Sequence, residues 1–202
     1  MLDFSNSKIL IVGDVMLDKY YFGKVDRISP EAPVPIVNIQ KEESRLGGAS
    51  NVANNIVSLG GHSLLCGVIG HDLFGKEIER ISRHKNIDTF LLKTSSPTST
   101  KARIIGGKQQ IVRVDYEDKS ELNADNKKLF RDTISRILPE YDILVISDYG
   151  KGLISEDLCR YLIKLAHKYD KKVIIDPKGK NWEKYSGADI VTPNVKELSD
   201  IV

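Results

Sequence analysis

Five short apolar runs, separated by stretches long enough to hold a helix, constrain this chain more than any other feature. They are Lys8-Ile9-Leu10-Ile11-Val12, Leu64-Leu65-Cys66-Gly67-Val68-Ile69, Ile143-Leu144-Val145-Ile146, Val173-Ile174-Ile175 and Ile190-Val191. Runs with so little polar alternation suit strands buried on both faces, as in parallel sheets. Between the later runs, Ser155 to Tyr169 spaces Leu158, Leu162, Leu165 and Ala166 at helical intervals, and the Ser155 hydroxyl can accept from an unpaired amide at that helix's start. The alternation predicts an α/β fold built on a doubly wound, mostly parallel sheet.

Polar residues follow each run: Gly13-Asp14, Gly70-His71-Asp72, Ser147-Asp148, Asp176-Pro177-Lys178 and Thr192-Pro193-Asn194. Open α/β sheets bind ligands outside the carboxyl ends of their strands, so four aspartates and an asparagine are expected to meet at one edge. For any single one of them the alternative is a solvated or capping role. Two segments interrupt the rhythm. Residues 18–39 carry Tyr20, Tyr21, Phe22 and a Pro-spaced stretch from Ser29 to Val37, which disfavours helix and suits edge strands and turns. Residues 99–116 read as strands around a Gly106-Gly107 turn. Together they predict a small sheet projecting from the main domain over the ligand edge, either a lid or a plain β extension.

Charge narrows the ligand. Thirty basic and 28 acidic side chains are interspersed, with a formal net charge of +2, which leaves no footprint for nucleic acid or an anionic membrane. A small neutral or anionic molecule fits better. No apolar run approaches the ~20 residues of a membrane span, and the first residues lack a basic n-region and a long apolar h-region, so a soluble, cytoplasmic protein is expected. Cys66 and Cys159 lie far apart in apolar stretches, without metal or disulfide spacing, and read as small buried hydrophobes.

The most specific local feature runs from Leu46-Gly47-Gly48-Ala49-Ser50-Asn51 to Gly60. Two glycines let backbone approach a ligand, and the small residues after them open a helix whose first amides, with the Asn51 side chain, can bind ligand oxygens. The alternative is a glycine turn packing a small-faced helix on the sheet. Gly47 to Gly60 resembles the first signature of the ribokinase/PfkB carbohydrate kinases. Gly70-His71-Asp72-Leu73-Phe74-Gly75 is similar to that family's Gly-x-Asp-x-x-Gly element, and Thr192-Pro193-Asn194-Val195-Lys196-Glu197 to its Asn-x-x-Glu element. A narrower resemblance is to the D-glycero-β-D-manno-heptose 7-phosphate kinases, including the kinase half of bifunctional heptose kinase/adenylyltransferases. It is carried by Val12 to Asp18, Arg27 to Pro35, Ser147-Asp148-Tyr149-Gly150-Lys151-Gly152 and Ile175 to Gly179.

That resemblance implies phosphorylation of heptose 7-phosphate at O1 by ATP with Mg2+, giving the 1,7-bisphosphate on the route to ADP-heptose and the lipopolysaccharide core. It also implies a homodimer formed through the small sheet. Asp14 can accept hydrogen bonds from sugar hydroxyls, with Asp148 expected nearby, while Gly47, Gly48 and Asn51 offer partners of the other polarity. Lys101, Arg103, Lys108 and Arg113 lie on the projecting strands. Period-two alternation puts Lys101 with Arg103, and Gln109 with Arg113. The resemblance favours Arg103, Gln109 and Arg113 as partners of the 7-phosphate, against a solvated surface role. It makes Glu197 the organiser of Mg2+ through water, sets Asn194, Val195 and Lys196 by the nucleotide phosphates, and brings Asp176 and Lys178 near the transferred group; caps or surface pairs are the alternative. Family members carry their general base in a downstream Gly-Ala-Gly-Asp element, and no such run occurs here. Ser186-Gly187-Ala188-Asp189 reads instead as a helix-to-strand connection. The resemblance covers nearly all of these 202 residues and only the earlier part of a family kinase domain, so this polypeptide alone is expected to lack useful kinase activity. Two further readings stay open: another ribokinase-type sugar kinase, and a noncatalytic sugar-phosphate-binding module.

Overall fold

The computed structural model describes residues 3–201, so the outermost residues of the domain expected over 1–202 lie outside the described ones. In chain order the elements are β1 (Lys8–Gly13), β2 (Val15–Ile28), β3 (Pro35–Gly48), α1 (Ala49–Ser58), β4 (His62–Gly70), α2 (Leu73–His84), β5 (Asp88–Thr94), β6 (Thr100–Gly106) and β7 (Gln109–Tyr116). They continue with α3 (Ala124–Ile137), β8 (Ile143–Ser147), α4 (Glu156–Lys168), β9 (Lys172–Asp176), β10 (Ile190–Val191) and α5 (Val195–Ser199), with 3-10 turns at Leu138–Glu140 and Glu183–Tyr185.

Each apolar run is a strand of one six-stranded sheet, ordered β10-β9-β8-β1-β4-β5, and every neighbouring pair is parallel. Leu10, Val12, Leu144, Ile146, Val173 and Ile175 turn to one face, against Phe130 and Ile134 of α3 and Leu158 and Leu162 of α4. Ile11 and Leu65 turn to the other, against Ala49 and Ala53 of α1 and Ile78 of α2. Burying each large aliphatic side chain contributes roughly 1.5–3 kcal/mol, and these two layers hold the sheet from both sides. Ser155 caps α4 by accepting from the Leu158 amide at 3.3 Å. At the sheet margin, β5 has no fully buried residue, so the reading of apolar runs passes over it.

A second sheet is ordered β3-β2-β6-β7, with β2 antiparallel to β3, parallel to β6, and β6 antiparallel to β7. It is larger than residues 18–39 and 99–116 suggest. β2 starts one residue after β1 ends, and β3 runs through Gly47 and Gly48, so the glycine pair closes a strand rather than occupying a loop. The β6–β7 turn is Gly107-Lys108, with Gly106 still in the strand. One expectation fails at a bulge. Ile104 pairs with Val112 but Ile105 pairs with Gln110, leaving Ile111 as an extra residue that reverses the alternation. Gln110 therefore shares the face of Arg113 and Arg103, while Gln109, opposite Gly106, is on the other face.

From β1 the chain builds β4 and β5 on one side and then returns to β8 on the other. The crevice at the carboxyl ends of β1 and β8 is thus the topological switch point, where sheets of this kind take ligands. No helix among the described residues is long and apolar enough to cross a membrane.

Candidate active site

Asp14 follows β1 at this switch point and is 4% exposed. Its Oδ2 accepts from the amides of Tyr149 at 2.8 Å and Lys151 at 3.1 Å, both in the loop after β8. Burial raises its pKa; the two amides oppose the shift and the charge of Asp148 adds to it. The residue lines a cavity of about 260 Å³ together with Lys151 and Ser99.

Beside it opens a larger cleft of about 730 Å³, bounded by Gly47, Gly48 and Asn51 below and by Asp18, Tyr20, Arg45, Lys101 and Arg103 of the small sheet above, with Tyr149 at the side. Gly48 needs to be glycine: its φ is +56°, and a Cβ there would sit 2.4 Å from the Asp14 carbonyl oxygen and 2.5 Å from Met16 Cε. No side chain caps α1; the amide of Ala49, its first residue, donates to the Asp14 carbonyl at 3.0 Å and so ties the helix start to the end of β1. Arg103 pairs with Asp18 at 2.6 Å, and the guanidiniums of Arg45 and Arg103 lie 4.7 and 5.2 Å from the Tyr20 ring centre. Lys101 lies 6.0 Å from the Tyr149 ring, and no ion pair holds it among the described residues. Burial first, then the charge of Lys151, push its ammonium below the ordinary value. An anion entering the cleft would oppose both effects by favouring the charged ammonium.

A third group lies beyond Tyr149. Burial, and then the charge of Glu197, raise the Asp176 carboxyl. Glu197 is buried, yet its carboxyl is held low because Oε2 accepts from the Asn194 amide at 3.0 Å and Oε1 from Lys178 Nζ at 3.0 Å. The two carboxylates raise each other's cost of charge and share Lys178 as a counter-charge, and no group of three or more His, Cys, Asp or Glu side chains placed to hold a metal occurs among the described residues.

Several expected residues have structural partners instead. Asp148 is 2% exposed; it accepts from the Gly150 amide at 2.8 Å, from the Tyr185 hydroxyl at 2.8 Å and from Lys184 Nζ, so it braces the loop after β8 against the second 3-10 turn. Asp72 caps α2 through the Gly75 amide and clamps Thr98, which explains its Gly-x-Asp-x-x-Gly spacing. The Asn194 side chain accepts from the Glu197 amide at 3.0 Å, closing a capping box at α5 with Val195 and Lys196 in its first turn. Arg113 makes a two-point pair with Asp115 and does not line the cleft, and neither does Gln109. Ser186 to Asp189 connects the second 3-10 turn to β10, with Asp189 accepting from the Val173 amide. Gly47, Gly48, Asn51 and Arg103 are brought together as expected; Asp18, Tyr20, Arg45 and Tyr149 are the additions.

The parallel sheet and the four-stranded sheet flanking its ligand edge define a ribokinase-like domain. The chain belongs to the pfkB family of carbohydrate kinases, whose family model matches residues 6–202. It is 48% identical over 193 residues to the bifunctional protein HldE of Helicobacter pylori strain P12, covering 95% of this chain and 42% of that protein. With the D-beta-D-heptose 7-phosphate kinase of Bordetella bronchiseptica it shares 44% identity over 199 residues, 98% of this chain and 62% of the relative. The chain thus spans less than two thirds of either relative. Among solved structures, the tetrameric inhibited form of phosphofructokinase-2 from Escherichia coli superposes with a TM-score of 0.74 at 21% identity, over 97% of this chain and 64% of that one. A carbohydrate kinase from Agrobacterium tumefaciens gives 0.72 at 17% identity, over 96% and 63%.

Proposed function

We propose that this chain forms the sugar-holding part of a kinase that transfers the γ-phosphoryl group of ATP to O1 of D-glycero-β-D-manno-heptose 7-phosphate. The observation that carries the reading is the cationic pair Lys101 and Arg103 on the roof of a cleft whose floor is Gly47, Gly48 and Asn51. The relatives named for heptose 7-phosphate support the choice of sugar. In this reading the 7-phosphate docks at Lys101 and Arg103, and Gly47, Gly48 and Asn51 donate to sugar oxygens. Asp14 accepts from a sugar hydroxyl, and the small sheet acts as a lid. Asp176, Lys178 and Glu197 would hold Mg2+ and the nucleotide phosphates, neutralising the charge of the transferred group. Arg113 and Gln109 are left out of the phosphate site, because of the Asp115 pair and the bulge.

The product would feed ADP-heptose synthesis in the cytoplasm, where ATP is available. The same reading takes the lid as a dimer contact, supported by the exposed Val112, Val114, Tyr116 and Val25 on that sheet. Val112→Lys with Val114→Lys is expected to convert a dimer to monomers in sedimentation; a wild-type monomer would refute the contact. Activity is tested with a protein carrying this chain, Mg2+, ATP and a panel of heptose 7-phosphate, fructose 6-phosphate and ketodeoxygluconate. Preferential formation of heptose 1,7-bisphosphate is expected, and preference for another sugar overturns the assignment.

A further inference from the structure

The loop that holds Asp14 is tied to the root of the small sheet by an ion pair and a close backbone approach. Lys151 donates its amide to Asp14 Oδ2 and its ammonium to Glu117, the first residue after β7. The Lys151 side chain is 14% exposed and that of Glu117 26%, so water screens the pair only in part. One residue on, Gly152 has φ +99°, and a Cβ there would fall 2.6 Å from the Ser120 carbonyl oxygen and 2.7 Å from that of Lys119. The loop is therefore pressed onto the strand-to-helix connection that leaves β7. That connection is joined to the segment feeding β6 by Asp118, which accepts from Ser96 Oγ at 2.7 Å and from the Ser120 amide at 2.8 Å. Both roots of the cation-bearing hairpin are thus joined to the loop that fixes the carboxylate.

We propose that Glu117 is a positioning residue that acts through Lys151 to hold Asp14, so that the placement of the small sheet sets the geometry of the sugar-hydroxyl acceptor. The role given to Asp14 rests on the kinase reading above; the mechanical link does not. A phosphate bound at Lys101 and Arg103 would fix β6 and β7, and with them Glu117, in the arrangement seen here, in which Asp14 is held by two amides. Sugar phosphates would then be bound more tightly than the sum of their phosphate and sugar contacts allows.

Two measurements on the 202-residue chain separate the link from the kinase reading. Hydrogen exchange of the Lys151 amide is followed in wild type, Glu117→Gln, Lys151→Met and the charge-swapped pair Glu117→Lys with Lys151→Glu. Exchange is expected to quicken about tenfold in the single variants, the low end for a partly screened charge-assisted bond. The swap should return it to near wild type, with β1 and β4 amides unchanged throughout. Calorimetry is expected to give an affinity for heptose 7-phosphate about tenfold weaker in Glu117→Gln, with that for inorganic phosphate unaltered. A Lys151 amide unmoved by Glu117→Gln, or exchange quickened across the whole sheet, overturns the proposal. A wild-type chain that ignores the sugar phosphate while the Lys151 amide responds to Glu117 would overturn the kinase reading alone.

Discussion

Replacing Asp148 with alanine distinguishes a strut from a ligand. The carboxylate is 1% exposed in its side chain and faces the Lys184 ammonium, itself 15% exposed, with the Tyr185 hydroxyl and Gly150 amide as further donors. Breaking a buried pair by removing one partner costs about 3–5 kcal/mol, because the other charge stays desolvated. Here the cost lies near the low end, about 3 kcal/mol, since Lys184 keeps the Ile154 carbonyl at 3.3 Å and Tyr185 keeps that of Lys178 at 3.1 Å. Urea unfolding followed by circular dichroism measures it, and Lys184→Met in the same background should recover about 1–2 kcal/mol by removing the stranded ammonium. A loss below about 1 kcal/mol for Asp148→Ala, with sugar binding abolished, would refute the strut and return the carboxylate to the cleft.

Gly48→Ala is expected to lower the urea midpoint through a strain of about 1–3 kcal/mol plus the clash with the Asp14 carbonyl; an unchanged midpoint contradicts the geometry. Burial pushes the Cys159 thiol up to about 12 and raises that of Cys66 as well, so Ellman's reagent at pH 8 should find neither thiol in the folded chain and both in denaturant. Hydroxyls of Ser120 and Ser96, with the Ser120 amide, hold the Asp118 carboxyl down to about 2. A depressed carboxyl contributes stability that is present above its unfolded value of about 3.9 and is lost as pH falls through the folded one. Melting curves between pH 5 and pH 2 should therefore fall more steeply for wild type than for Asp118→Asn, and parallel curves would contradict this.

The sheet was legible because strands buried on both faces need continuous apolar runs, and it was illegible where that need lapses, at the half-exposed margin strand β5. Site residues follow a different logic. Asp14, Asp72, Asp148 and Asn194 all stand at strand ends, and residue type alone cannot separate a carboxylate that waits for a ligand from one that caps α2 or neutralises Lys184. That difference depends on Thr98, 26 residues from Asp72, and on Lys184, 36 residues from Asp148. Period-two reasoning placed Lys101 and Arg103 on one face and failed for Gln109, because a bulge adds a residue without a sequence mark on either neighbour. The Gly47-Gly48 pair was readable in kind but not in place: positive φ at Gly48 is a glycine requirement, while its position at the end of β3 follows from pairing with Val15.

The central claim is that this cleft reads the phosphate of a phosphorylated sugar through Lys101 and Arg103. Calorimetric titration of the chain with heptose 7-phosphate, and with the same heptose lacking phosphate, tests it most directly. Two charge-assisted contacts predict at least about 100-fold tighter binding of the phosphorylated sugar, an advantage that Lys101→Met with Arg103→Met removes. Equal affinity for the two sugars, or an advantage that survives both substitutions, would contradict the account.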